Sequence, residues 1–340
     1  MCHYSSRREP DYICKEPPLE NAALCIFHGR DSNKVREKFI EELKKQLAGR
    51  GQNERCSFAG YCFPEGRWNW HELLESHPLE NADFKEAEFR GHTSFRGIRF
   101  LGPTLLGGIQ VEGDVSFEDV TFEGRVSFLD GMFRGRASFA GADFQGFADF
   151  GGVTFGEEAE FETARFQAPL FLLGTRWRRP KDAESAFRKA RESHERAGDR
   201  FAADYYFYRE IVAKRKQKQS VWDWPFRCLE WLLVDLTCAY GASYLRVIVS
   251  AFVIILVGMI LVTVAGDLKL VNSSIEFQDL PLLRRFLYAG YFSIITFTTM
   301  GYTDIYPIGE LTRALSGIEA LLGTFMMALF VVVFVRKFMR

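Results

Sequence analysis

The sequence predicts a multidomain membrane protein in which a long repetitive region precedes an α-helical membrane domain. Three observations support this prediction. Apolar residues recur at steps of five or six between residues 84 and 166, two long apolar segments lie in the C-terminal third, and a shorter apolar segment separates those two. The chain of 340 residues is long enough for two or three domains. Its net charge of −1 indicates no general affinity for nucleic acid or for an anionic surface.

Residues 1–78 contain cysteine and histidine residues at a spacing that suits a zinc site. Two residues separate Cys25 from His28, which is the spacing of two zinc ligands on one tight turn. The predicted zinc ligands are Cys2, Cys14, Cys25 and His28, with His3 as the alternative to Cys2. The other interpretation is a set of buried, reduced thiols, because the scatter of the seven cysteines is not that of a disulfide framework.

Residues 79–176 contain a repeat of 11 residues, in which steps of five and six alternate. Its central apolar residues are Phe84, Phe89, Phe95, Phe100, Leu106, Val111, Phe117, Phe122, Phe128, Phe133, Phe139, Phe144, Phe150, Phe155, Phe161 and Phe166. A small or apolar residue precedes nearly every one of them by two positions, and so regular a period predicts a stack of short structural units. Residues 57–64 are expected to form the first coil or cap, and a bulge is expected at residues 103–113, where two aliphatic residues replace phenylalanine.

This pattern, for example Ala-Asp-Phe-Gln-Gly at residues 142–146, resembles that of pentapeptide-repeat proteins. The resemblance implies a right-handed quadrilateral β-helix of about four coils, in which the central residue and the residue two before it point inward. It also implies a scaffold, or a surface that binds a cytoplasmic ligand or protein. Some members of the family mimic DNA, but that requires an acidic rod, and arginines are mixed with the acidic residues here. No nucleic-acid partner is therefore expected.

Residues 180–220 and 221–245 are expected to connect the repeats to the membrane. The first segment is strongly helical in composition and is interrupted by Ala-Gly-Asp at 197–199, which predicts a helical hairpin. The second segment combines three tryptophans with apolar residues, which favours an amphipathic helix at the membrane interface. A short third membrane span is the alternative, and the charged residues of the segment argue against it. These residues are Asp223, Arg227, Glu230 and Asp235.

Two membrane spans are predicted at residues 247–265 and 313–335. The first has 19 residues without a charge and would extend roughly 28 Å as a helix, close to the thickness of the hydrocarbon layer. Lysine and arginine residues cluster before the first span and after the second. Both termini are therefore expected in the cytoplasm of a multi-pass protein of the inner or plasma membrane, in contact with lipid. Cytoplasmic control is expected to act through the first span.

The segment between the spans combines a predicted short helix, residues 282–297, with the sequence Thr-Thr-Met-Gly-Tyr-Thr-Asp at 298–304. This order of elements resembles the two-transmembrane potassium-channel family. The resemblance implies that backbone carbonyls after the short helix replace the hydration shell of potassium ions. The implied selectivity filter comprises Thr298, Thr299, Met300, Gly301, Tyr302, Thr303 and Asp304. The family also places an aromatic partner for the aspartate at the position of Tyr291, whereas a second carboxylate found in some relatives is replaced here by Ile295.

Thr303 departs from the family pattern, which has glycine at this position. A β-branched residue with positive φ is strained by about 1–3 kcal/mol, so the outermost carbonyl could point elsewhere. The prediction is a potassium-conducting cation channel. The alternatives are a nonselective cation channel and a membrane-anchored interaction scaffold that does not conduct.

The second span contains a glycine and a carboxylate that require explanation. Gly323 occupies the interval at which the family often has a gating-hinge glycine, and close helix packing is the other explanation. Glu319 is expected either to bond to the back of the short helix or to act as a pH-sensitive gating carboxylate. Helical spacing from Gly323 predicts four residues that line the cavity and the inner gate. These residues are Thr324, Met327, Val331 and Val335.

One filter segment cannot surround an ion, so the resemblance implies a symmetric ring of four identical chains. The expected filter ligands are potassium ions, and the expected contacts of the membrane domain are lipid and the other subunits. An enzyme is not expected, because the sequence shows no nucleophile–base pair, phosphate-binding loop or carboxylate pair of a catalytic site.

Overall fold

The computed structural model describes residues 4, 14, 24–29, 36–48, 56–75, 77–217, 237, 244–271, 276–301 and 304–338. The chain divides into two compact units, Met1–Lys218 and Gln219–Arg340. The interfacial helix predicted at 221–245 lies outside the described residues, except for Thr237 and the first two residues of a later helix.

The first unit is a β-solenoid whose short strands form four parallel sheets. Strands β1, β4, β8, β12, β16 and β20 are Cys62–Phe63, Glu88–Phe89, Gln110–Val111, Met132–Phe133, Thr154–Phe155 and Arg176–Trp177. Strands β3, β6, β10, β14 and β18 are Leu79–Glu80, Arg99–Leu101, Thr121–Phe122, Asp143–Phe144 and Arg165–Phe166. Strands β7, β11, β15 and β19 are Thr104–Leu105, Val126–Ser127, Ala148–Asp149 and Leu170–Phe171. Strands β2, β5, β9, β13 and β17 are Arg67–Asn69, His92–Ser94, Val115–Ser116, Ala137–Ser138 and Ala159–Glu160.

After the first coil, each coil takes up 22 residues, as the pairing of Phe122 with Phe144 shows. The same spacing joins Val111 to Phe133, so the chain passes through residues 103–113 without the expected bulge. The solenoid has about five coils rather than four, because the first coil begins at Cys62. Cys62 pairs with Glu88, 26 positions further on, and this longer first coil hides the period in the sequence.

Stacked aromatic rings fill the interior of the solenoid. The rings of Phe122 and Phe144 stack with centroids 5.0 Å apart, and those of Phe144 and Phe166 with centroids 4.6 Å apart. The residues two positions earlier are also buried, for example Val120 and Ala142, both 0% exposed. The predicted pentapeptide pattern is confirmed, since a single coil cannot bury these rings and each coil covers the next.

Glycines stack at one corner of the coil. Gly91, Gly113 and Gly135 follow one another at intervals of 22 residues. A β-carbon on Gly113 would come within 2.7 Å of the backbone of Gly91, and one on Gly135 within 2.6 Å of the backbone of Gly113. The coils therefore approach each other at this corner to a distance that only glycine permits.

Helix α1, Arg36–Ala48, lies at the N-terminal end of the solenoid. Its buried Phe39 packs edge-on against Phe63 and Trp68 of the first coil, with centroid distances of 5.3 Å and 5.4 Å. The short helix α2, Trp70–Leu73, lies within that coil. The aromatic core of the first coil is therefore covered from the N-terminal side.

Helices α3, Pro180–Arg196, and α4, Arg200–Gln217, form the predicted hairpin, with Gly198 at φ +77° between them. They belong to the same compact unit as the solenoid. The hairpin packs on the last coil, so it does more than connect the solenoid to the segment that follows.

Polar side chains of the hairpin bond to backbone groups at the open edge of the last coil. The hydroxyl of Ser193 accepts a hydrogen bond from Leu170 N at 3.1 Å, and the hydroxyl of Tyr206 accepts one from Leu172 N at 2.9 Å. An uncovered edge of a parallel sheet offers such groups to other chains. The hairpin thus caps the solenoid.

The second unit contains helices α5, Tyr244–Ala265, α6, Leu282–Phe297, and α7, Glu310–Phe338. Strand β21, Leu268–Leu270, follows α5 and pairs antiparallel with β22, Ile305–Pro307, which precedes α7. A 3₁₀ turn, Phe277–Asp279, precedes α6. Helices α5 and α7 are long and apolar enough to cross a membrane. The predicted spans at 247–265 and 313–335 lie within them, and α6 has the predicted bounds.

Candidate functional site

Helix α6 ends in a turn that reverses the chain. Met300 N donates to Ile295 O at 3.0 Å, and Thr299 N donates to Thr296 O at 3.1 Å. These two bonds form a Schellman motif, in which the residue after the helix cap adopts a left-handed conformation. That residue is Thr299, with φ +55°.

Thr299 is an unusual residue for a left-handed conformation, since its β-branched side chain crowds the backbone there. The next residue but one, Gly301, has φ +68°. Strained backbone of this kind costs about 1–3 kcal/mol and concentrates at functional sites. The structure shows a left-handed threonine at Thr299, and the strain expected at Thr303 stays a prediction. Tyr302 and Thr303 lie outside the described residues.

The segment after α6 lies at the C-terminal end of a helix, where the helix dipole places partial negative charge. Thr299, Met300 and Gly301 are all exposed within a single chain, and Met300 is 65% exposed. The hydroxyl of Thr298 donates back to Ile294 O at 2.8 Å, so this side chain belongs to the helix end. The exposed turn therefore lies at the negative end of a helix dipole, which suits a cation.

Asp304 is fixed by both its side chain and its backbone. The hydroxyl of Tyr291 donates to Asp304 Oδ2 at 3.1 Å, which is the aromatic partner that the family resemblance implied. The amide of Val271 donates to Asp304 O at 3.0 Å. Since Val271 directly follows β21, the aspartate is connected both to α6 and to the segment after α5.

Glu319 of α7 faces both α5 and α6 and is 6% exposed. The hydroxyl of Ser293, in α6, is hydrogen-bonded to Glu319 Oε1 and lies 2.9 Å from Ile255 O in α5. A β-carbon on Gly258 of α5 would come within 2.7 Å of the Glu319 carboxyl carbon. The predicted bond to the back of α6 is therefore present, and the carboxyl group connects α7 to α6 beside a glycine of α5.

Gly323 lies one turn further along α7, against the end of α6. A β-carbon on Gly323 would come within 2.8 Å of the carbonyl carbon of Phe297. Close helix packing therefore accounts for this glycine, and the hinge stays a prediction.

The four predicted cavity residues lie on a different face of α7 from Glu319 and Gly323. Met326 and Val333, on the buried face, are each 2% exposed. The four predicted residues, Thr324, Met327, Val331 and Val335, are all exposed, as are other residues of α7 such as Leu321 and Val332. These four side chains are thus available for a surface that one chain does not complete.

An open cleft of about 640 Å³ adjoins the segment after α6. Thr299, Gly301 and Tyr306 line one part of it, and Ser316 and Ala320 of α7 line another. Within one chain this segment is therefore not enclosed by protein on all sides.

At the other end of the chain, the structure brings together three of the four predicted zinc ligands. Cys14, Cys25 and His28 place their ligand atoms within 4.8 Å of one another, and all three residues are buried. Cys2 and His3 lie outside the described residues.

Two residues of the membrane unit were not singled out from the sequence. Ser293 is the one serine of α6, and Gly258 is the one glycine of α5. Such isolated polar or small residues often mark contacts between membrane helices, and this signal was present in the sequence. The sequence did not show that both residues contact Glu319, because these contacts join positions 26 or more residues apart.

Comparison with protein families places these elements in a known context. Residues 268–340 match a family model described as "Ion channel". The matched region begins at β21 and includes α6, the turn after it and α7. Comparisons with curated proteins and with solved structures gave no match.

Proposed function

Residues 268–340 form an ion-channel domain, and we propose that the chain is one subunit of a homotetrameric, potassium-conducting cation channel. In this proposal residues 298–304 of four chains form the selectivity filter and hold potassium ions. The proposal gives the protein no covalent chemistry to perform, and we infer no enzymatic activity.

The turn after α6 carries the proposal. Thr299 and Gly301 both have positive φ, with Met300 between them. Alternation of left-handed and right-handed residues turns successive carbonyl groups toward one side of a strand, which is how a carbonyl-lined filter replaces the hydration shell of an ion. The turn lies at the negative end of α6, inside the matched region.

The exposure of this turn supports assembly. Non-helical backbone at membrane depth is tolerated only where protein or a water-filled cavity surrounds it. Thr299, Met300 and Gly301 are exposed in one chain, so further chains have to enclose them. Four copies around one axis would complete the filter and bring the exposed face of α7 to the pore.

We further propose that both termini and the β-solenoid lie in the cytoplasm, at the inner or plasma membrane. The lysine and arginine residues that flank the two spans support this orientation. The solenoid would then regulate the gate through α5, or bind a cytoplasmic partner.

Flux through the purified protein in liposomes tests the proposal. We expect potassium flux with the unmodified chain and its loss with Gly301→Ala, because φ +68° is strained for alanine although no atom lies within 4 Å of the added carbon. Gly317→Ala is the matched control, since its β-carbon also meets no atom within 4 Å and its backbone is helical. Flux that is equal in both variants would overturn the filter assignment.

Thr303 favours a second candidate, a nonselective cation channel, because it replaces the glycine of the family pattern. Potassium and sodium flux should be compared in the same liposomes. Equal fluxes that become potassium-selective in Thr303→Gly would establish the second candidate. Selective flux in the unmodified chain would show that threonine is compatible with the filter.

A further inference from the structure

The turn formed by residues 24–29 holds Cys25 and His28 close to Cys14, three side chains of the types that bind metal ions. Sγ of Cys14 lies 3.8 Å from Sγ of Cys25, and Sγ of Cys25 lies 3.0 Å from Nδ1 of His28. Cys14, Cys25 and His28 are 3%, 0% and 3% exposed. Two thiols and an imidazole are therefore concentrated in one place that solvent does not reach.

His28 is oriented by a backbone carbonyl in a way that suits a metal ligand. Its Nε2 lies 3.1 Å from the carbonyl oxygen of Ala59. A carbonyl oxygen only accepts hydrogen bonds, so Nε2 carries a hydrogen, and in the neutral ring Nδ1 then keeps its lone pair. Histidines that bind a metal through one nitrogen usually donate the other N–H to such an oxygen, which orients the ring.

We propose that Cys14, Cys25 and His28 bind a structural zinc ion. In a tetrahedral site with Zn–S bonds of about 2.3 Å, two thiolate sulfurs lie about 3.8 Å apart. The two sulfur atoms have this separation, 3.8 Å, before any ion is considered. A sulfur and a nitrogen on zinc lie about 3.6 Å apart, so Nδ1 of His28, now 3.0 Å from Sγ of Cys25, moves away by about 0.6 Å on binding.

Charge favours a divalent cation at this site, and the ligand type favours zinc. Binding releases the protons of the two thiols to solvent, and the two thiolates then neutralise the charge of Zn²⁺. Neutrality matters because an uncompensated charge at this depth is costly. Thiolate and imidazole ligands disfavour magnesium and calcium, which prefer oxygen. The fourth ligand expected from the sequence, Cys2 or His3, lies outside the described residues.

The zinc ion would hold the turn at residues 24–29 against the first coil. Within the same turn Phe27 is fully buried, its ring stacks on that of Tyr61 at 4.6 Å, and its carbonyl accepts a hydrogen bond from Cys62 N at 2.7 Å. The turn thereby covers a backbone group of β1, the first strand of its sheet. Loss of the metal would uncover this edge, and exposed edges promote association with other chains.

Metal analysis of the full-length protein, purified in detergent without chelator or a metal-affinity tag, tests the proposal. We expect about one zinc ion per chain by mass spectrometry of the metal content. His28→Ala should reduce it below about 0.2 per chain, whereas His28→Cys should retain zinc because cysteine is itself a zinc ligand. Cys62→Ser is the matched control, since its thiol faces Glu88 at 3.8 Å and its loss should leave the zinc content unchanged.

A second measurement does not depend on the folding of any variant. In the unmodified protein, Cys14 and Cys25 should resist alkylation until a chelator is added, and mass spectrometry of the peptides identifies them. The proposal is overturned if the unmodified protein holds less than about 0.2 zinc per chain after incubation with zinc and desalting. It is overturned equally if the chelator leaves the alkylation of Cys14 and Cys25 unchanged. Neither outcome bears on ion flux, so the channel proposal is tested separately.

Discussion

Gly323 of α7 lies directly against the carbonyl group of Phe297, the last residue of α6. An added β-carbon would come within 2.8 Å of the Phe297 carbonyl carbon, and closer still to its oxygen. The neighbouring atoms belong to backbone, which cannot rotate away as a side chain can. The end of the short helix therefore rests on the second apolar helix at a distance that requires glycine.

Gly323→Ala should destabilise the membrane unit by about 1–3 kcal/mol, the usual cost of inserting a methyl group into a packed contact. The displaced helix end carries the turn at Thr299, so ion flux should fall as well. Melting in detergent and liposome flux measure the two effects. Gly317→Ala is the control in the same helix and should be neutral or slightly stabilising. A hinge without a packing role would leave the melting temperature of Gly323→Ala at that of Gly317→Ala.

Ser293→Ala should destabilise the chain by about 1–3 kcal/mol, because it removes the hydroxyl that is bonded to the buried Glu319. Glu319→Gln retains an oxygen acceptor for that hydroxyl and should be tolerated better. Melting of both variants in detergent compares them. If Glu319 is a structural partner, the pH dependence of flux should be the same in Glu319→Gln as in the unmodified chain. A pH dependence that disappears in this variant would support the gating carboxylate instead.

Tyr291→Phe should weaken the fixation of Asp304 by about 1 kcal/mol through loss of the 3.1 Å hydrogen bond. The bond from Val271 N to Asp304 O remains, so flux should decline faster with time rather than vanish. Time-resolved flux or single-channel recording measures this. Tyr306→Phe removes a hydroxyl from nearby β22, and the structure describes no hydrogen bond of that hydroxyl. Equal behaviour of the two variants would contradict a role for the Tyr291 bond.

Gly113→Ala should destabilise the solenoid by about 1–3 kcal/mol, because the added carbon would meet the backbone of Gly91 at 2.7 Å. Glu157 occupies the corresponding corner two coils further on and already carries a side chain. Glu157→Ala should therefore change stability by less than about 0.5 kcal/mol. Thermal unfolding followed by circular dichroism distinguishes the two, and a harmless Gly113→Ala would mean that the coils can separate at this corner.

Asp182, in helix α3 of the hairpin that caps the solenoid, should make the stability of this cap depend on pH. Its carboxylate accepts a hydrogen bond from Ala159 N at 2.9 Å, but burial raises its pKa above the ordinary value. The folded state then holds the proton to higher pH than the unfolded state, so the contribution of Asp182 to stability falls as pH rises through its ordinary pKa of about 3.9 toward the raised one.

Asp182→Asn keeps an acceptor oxygen and does not titrate. Relative to the unmodified chain it should gain stability between pH 4 and pH 7, by less than about 1 kcal/mol because the carboxyl group is partly exposed. Melting temperatures of both proteins at the two pH values provide the test. A stability difference that shrinks toward pH 7 would contradict the raised pKa.

The repeat architecture and the two membrane spans could be predicted from the sequence because each depends on a local pattern. An inward-facing residue such as Phe144 repeats its environment 22 positions later, so the period alone determines which side chains are buried. A run of apolar residues of membrane length has the same local character. The prediction weakened where the pattern was irregular. Residues 57–64 were expected to form the first coil or a cap, but the number of coils was underestimated because Cys62 pairs with Glu88 across 26 positions.

Contacts between distant positions were decided by the tertiary structure. The sequence identified Glu319 and Gly323 as residues that require explanation, but only the packing of three helices shows that Ser293 bonds to one and Phe297 touches the other. The hairpin was predicted as a connection, and its hydrogen bonds to Leu170 and Leu172 make it a cap. Residue type and spacing determine local burial, whereas the partner of a buried polar group depends on which segments the whole fold brings together.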